Sequence, residues 1–137
     1  MIKYLALILL LPFIDLSDAS AQAERTYNTI VSIDRQVITQ PISVEVVSDG
    51  DSVISASYLP GALTIEGAPP HGTLTLRFAH EQIMRGRSVV VEYEAEVPAR
   101  LFQEEYLLLY FSNRKRRSSG LFDGYASPLG EMMIAHK

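Results

Sequence analysis

Three histidines, His71, His80 and His136, are the whole supply of imidazole bases in this 137-residue chain, and it has no cysteine. Acyl transfer by a serine needs such a base and an orienting group gathered around the nucleophile. His71 stands in a proline-glycine loop, His80 ends a strand-like run, and His136 is next to the C-terminus; no serine has a G-x-S-x-G setting. All three read as surface or strand-end residues. Asp49-Gly50-Asp51 is the nearest approach to a calcium loop, but the other ligands of D-x-[DN]-x-[DN]-G are missing, so it reads as a solvated hairpin turn. Glu104-Glu105 resembles the carboxylate pair of a glycosidase only in composition, because neighbours on a strand face opposite ways and do not converge. Gly120 and Gly124 lack the lysine of a phosphate loop. The expectation is a protein that is not an enzyme and has no cofactor and no metal.

Two charge features remain, and both are candidate contact surfaces. Arg114, Lys115, Arg116 and Arg117 form a basic run in a loop, suited to an anion or, through R-x-[KR]-R at Arg114, Arg116 and Arg117, to a processing protease. As plain surface, the run is a solvated loop that discourages edge pairing. Glu92, Glu94 and Glu96 recur at every second residue, so on a strand they line one face as an acidic ladder. That ladder either meets a basic partner or keeps the face wet. With a formal charge of -4 and a pI near 5.3, the chain is not expected to bind nucleic acid.

The glutamates are placed by residues 88–97, SVVVEYEAEV. Val89, Val91, Tyr93, Ala95 and Val97 fall on one side and Ser88, Val90, Glu92, Glu94 and Glu96 on the other, the period of two of a half-buried strand. A one-residue slip would bury three carboxylates, so the register is strongly set. The same alternation runs through 25–34, 37–47, 52–59 and 73–80, and 62–66 makes a short strand. Pro41 marks an edge, a bulge or a break between two shorter strands, and Asp49-Gly50 suits a tight hairpin. Residues 81–87, EQIMRGR, have a helical character closed by Gly86. Residues 101–112 fit strand or short helix, with aromatic content favouring strand. After breaks at Gly124, Pro128 and Gly130, residues 131–136 can form a last strand. Seven or eight short strands separated by turn signals, with no long amphipathic helix, predict an all-β fold, a single antiparallel β-sandwich of the immunoglobulin-like or Greek-key type.

Residues 1–23 have the layout of a secretory signal peptide: Lys3, then the apolar run 4–14, then the small-residue sites Ala19-Ser20-Ala21 and Ala21-Gln22-Ala23. Cleavage after Ala21 or Ala23 leaves the sandwich domain at 24–137. The apolar run is too short to span a bilayer and is interrupted by Pro12, so no stable membrane anchor is expected after cleavage. Without disulfides or N-x-S/T sites, a secreted, periplasmic or cell-surface location in a bacterium is favoured. The function expected is protein-protein contact, as a fimbria-type structural or accessory subunit, with a protein partner engaged by strand addition or surface contact. In that scheme 27–33 is the strand to be lent and the Pro41 edge the one that receives. The alternative is a periplasmic carbohydrate- or peptide-binding monomer using Tyr27, Tyr58, Tyr106, Tyr110 or Tyr125.

Overall fold

A computed structural model describes residues 23–48, 50, 52–67, 70–113 and 119–134. Asp49, Asp51, His136 and the basic run from Arg114 to Arg117 lie outside the described residues, as does the expected signal peptide up to Gln22. The described chain is an all-β sandwich of two packed sheets. Its strands are β1 (Glu24–Tyr27), β2 (Thr29–Ile33), β3 (Gln36–Val37), β4 (Ile42–Val47), β5 (Val53–Leu59) and β6 (Ala62–Glu66). They continue as β7 (Thr73–Met84), β8 (Arg87–Pro98), β9 (Leu107–Ser112), β10 (Leu121–Ser127) and β11 (Gly130–Met133). One sheet has the order β1-β6-β5-β4-β7-β8 and the other β11-β10-β9-β2-β3. All strand pairs are antiparallel except β2 with β9, which is parallel.

The count exceeds the seven or eight strands expected because two alternating runs each serve both sheets and because residues 121–127, expected to be broken, form β10. Residues 25–34 divide at Asn28, so that β1 pairs with β6 in one sheet and β2 with β9 in the other. Likewise Pro41 stands in the crossing between β3 and β4, as a break and not at an edge. β4 is an interior strand between β5 and β7. Asp34 and Arg35, with φ of 49° and 67°, make the tight turn from β2 to β3.

Residues 81–87 are not helical. β7 runs on to Met84, the chain reverses through Arg85 and Gly86 with φ of 51° and 76°, and every residue from Thr73 to Met84 has a partner on β8. Two successive positive φ angles make a two-residue hairpin turn, and the cross-strand ladder overrides a short local helical preference. Residues 101–112 contain both readings in sequence: a 3-10 turn at Ala99–Gln103, then strand β9. Gly124, expected to break the chain, sits inside β10 at a bulge with φ of 150°.

The alternating faces predict the core. Val91, Tyr93, Ala95 and Val97 are at most 2% exposed, and Leu74, Leu76 and Phe78 of β7 lie beside them. Four rings join the sheets. Phe78 stacks on Tyr93 at 5.0 Å, both meet Phe111 of β9 edge-on at 5.2 and 5.4 Å, and Phe111 leans on Phe122 of β10 at 5.2 Å. Tyr58 makes a second link. Its hydroxyl accepts the Val31 N–H at 3.1 Å and donates to the Ile38 carbonyl at 3.4 Å, closing a gap in the other sheet's backbone pairing.

Val91 is fully buried, whereas Glu94 is exposed and paired with Arg77 across β7 at 2.7 Å. Val91→Asp places a carboxylate in the core and is expected to unfold the domain. Glu94→Lys removes an exposed ion pair and is expected to shift stability by no more than about 1 kcal/mol. Urea denaturation of both variants checks the face assignment, which similar losses would refute.

Candidate contact surface

The candidate catalytic residues do not come together. His71 is exposed beside the turn into β7, His80 lies on the inward side of β7, and Glu104 and Glu105 occupy a bend before β9, not a strand. Among the described residues no three His, Asp or Glu side chains are placed to hold a metal ion. The tyrosines also separate: Tyr58 and Tyr125 are core residues, and Tyr27 packs edge-on against Phe102 at 5.9 Å. Tyr106, just before β9, is exposed and Tyr110 in β9 is half-buried, whereas among the described residues the outward face of the six-stranded sheet has no aromatic side chain.

Glu92, Glu94 and Glu96 do form a ladder. Their partners on β7 are Ala79, Arg77 and Thr75, and all three glutamates are exposed. Arg77 in turn lies between Glu94 and Glu45 of β4. On the outward positions of β4, β7 and β8 it is the one cation, facing Glu45, Glu81, Glu92, Glu94 and Glu96. A shallow groove of about 720 Å³ runs over this face, with Ser43, Glu45, Ser55, Arg77, Glu92 and Glu94 among its walls.

β8 is also a sheet edge, and the phase of its hydrogen bonds is clear. The Glu92 carbonyl accepts the Gly120 N–H at 2.7 Å and so points away from β7, while the Ala99 N–H turns inward to the Gly72 carbonyl at 2.8 Å. Alternation then directs the backbone polar groups of Ser88, Val90, Glu94 and Glu96 outward. Pro98 falls on an outward position, where a missing N–H costs no ladder bond. Among the described residues the only strand-like neighbour of this edge is Ser119, bridged to Glu92.

A polar cluster at the inner side of β8 was not legible in the sequence. The Tyr93 hydroxyl donates to Asn113 Oδ1 at 2.6 Å and accepts from Gln82 Nε2 at 2.5 Å. Asn113 donates from its backbone and its amide to Asp34, at 3.0 and 3.1 Å, and also to Gln82. These four residues come from β7, β8, the β2–β3 turn and the end of β9, so no spacing rule announces them. They hold Asn113, where the chain leaves β9 toward the basic run. Burial, opposed by the hydrogen bonds to Asn113 and Gln82, pushes the Tyr93 phenol up. Burial lowers the pKa of His80 from its ordinary 6.5, and its Nδ1 has no hydrogen-bond partner among the described residues.

Compared with known proteins, the chain matches no family model, no curated protein and no solved structure. The surface geometry has to supply the functional reading.

Two outcomes follow from the buried groups. Tyr93→Phe leaves Asn113 and Gln82 short of a partner and is expected to cost about 1–3 kcal/mol in urea melts, with the fold retained; no loss would show that the cluster is not coupled to stability. For His80, the unfolded chain takes up a proton near pH 6.5 and the folded chain only at lower pH. Its contribution is complete above 6.5 and is lost as pH falls through the lowered folded value. His80→Gln should therefore flatten stability between pH 7 and 5.5, and an unchanged slope in that window would refute the assignment.

Proposed function

We propose that the protein is an exported, non-catalytic β-sandwich that acts by protein-protein contact, as a structural or accessory subunit of the fimbria type at a bacterial cell surface. The observation that supports this reading is the β8 edge. Three of the sheet edges are formed by β1, β3 and β11, which have 4, 2 and 4 residues. β8 has 12. Long exposed edges are templates for further strands, and stable monomers usually shorten or cover them. A contact module has a use for one.

The scheme in which 27–33 is lent and Pro41 marks the receiver needs a correction. β1 and β2 are already paired within the chain, and β2 is an interior strand between β9 and β3. Lending them would leave Val31 and Ile33, at 4% and 6% exposure, without their burial. Pro41 precedes an interior strand, so the receiving edge is at β8. The signal segment at residues 1–23 supports the exported address, and the absence of cysteine suits a domain held by packing alone.

Residues 24–137 should be expressed and their mass measured by light scattering, alone and with the proteins encoded beside the gene. The expected result is a complex with at least one of them. A well-folded monomer indifferent to every neighbour would overturn the reading.

A further inference from the structure

We infer that the open edge of β8 takes up an extended segment of another protein that carries lysine or arginine at every second residue, adding a strand to the six-stranded sheet. This rests on the contact role proposed above and names the chemistry of the partner.

The binding element is the backbone. Beyond the Ser119 bridge, Glu94 and Glu96 direct N–H and C=O groups outward, and among the described residues no strand pairs with them. An incoming strand satisfies these groups as any sheet neighbour does, about 4.8 Å away. Backbone pairing alone selects no sequence. Selection comes from the side chains that the new strand would set beside Glu94 and Glu96, since directly opposed pairs interact most strongly.

Those two positions exclude the simplest occupant, a second copy of the same edge. Two-fold antiparallel pairing centred on Glu94 opposes Glu94 to Glu94 and Glu92 to Glu96, all like charges. Each such pair is destabilising, by roughly 0.2–1 kcal/mol. The same positions reward cations. Arg77 is the one cation on the neighbouring outward positions, and its 2.7 Å pair is with Glu94, so among the described residues Glu92 and Glu96 have no ion pair. The residues between the cations would lie on the side of Ala95 and Val97, both at most 2% exposed, where small or apolar side chains fit. The partner pattern is therefore basic and apolar in alternation.

The test uses the protein purified from the cells that produce it and two labelled peptides, Thr-Lys-Val-Lys-Val-Lys-Thr and its glutamate counterpart, followed by fluorescence anisotropy. A third peptide of the same composition as the first, with its lysines consecutive, controls for net charge. The alternating lysine peptide should bind about two- to thirtyfold more tightly than the consecutive one, and more tightly still than the glutamate one, since two opposed pairs are worth roughly 0.2–1 kcal/mol each and backbone pairing is common to all three. Glu94→Lys/Glu96→Lys should weaken it at least tenfold. Glu24→Lys/Glu66→Lys, the same charge change on the far β1–β6 edge, should not. Glu96→Pro removes one outward N–H without touching the β7 ladder; it should abolish binding while circular dichroism and melting temperature stay near those of the parent. Equal binding of the alternating and consecutive lysine peptides, retention by Glu96→Pro, or a dimer formed through β8 would overturn the inference. If a neighbouring protein is captured equally by the parent and by Glu96→Pro, the contact role stands and this edge is not its site.

Discussion

The ring of Tyr93 is the point on which the two sheets depend. It stacks on Phe78 within its own sheet and meets Phe111 of the opposite sheet edge-on, so one side chain fixes both the local ladder and the distance between layers. Aromatic pairs of this kind add roughly 0.5–1.5 kcal/mol beyond the area they bury. The hydroxyl at its far end would be costly in an apolar core, and Asn113 and Gln82 satisfy it. Gly120 belongs to the same constraint: a Cβ there would run into the Tyr93 ring. That close approach lets residues 119–120 lie along β8 and bond to Glu92.

This packing explains why β8 can be a long edge without unfolding at its margin. Its inward residues Val91, Tyr93, Ala95 and Val97 are anchored in the core, while its outward residues carry the exposed glutamates of the ladder. Core packing and the acidic ladder therefore use opposite faces of one strand. The cross-sheet links of Tyr58 and Tyr93 tie the layers together without disulfides, by hydrogen bonds from the core to backbone and amide groups. A chain with no cysteine can be held in this way because each hydroxyl finds polar partners, that of Tyr58 on backbone groups and that of Tyr93 on side-chain amides.

Much of the fold was legible in period-two patterns, and the departures have physical causes. Residues 88–97 and 73–80 show their faces directly, because each strand has one side in the core and one in water. Residues 81–84 misled because Ile83 is 77% exposed at the far end of a hairpin, where no core imposes an alternation. The strand change at Asn28 has no signature, since an alternating run looks the same whether it pairs in one sheet or two. Glu92, Glu94 and Glu96 could be assigned to one face from spacing. That their strand is an edge, and a long one, follows only from the order of the sheet.

The sequence by itself determined the class of the fold, the inward and outward faces of most strands, and the acidic ladder, since all of these depend on residues close in the chain. The tertiary structure decided which strands are edges, where Pro41 stands, and that Asp34, Gln82, Tyr93 and Asn113 meet. These are contacts between residues 11 to 79 positions apart, and no local period records them.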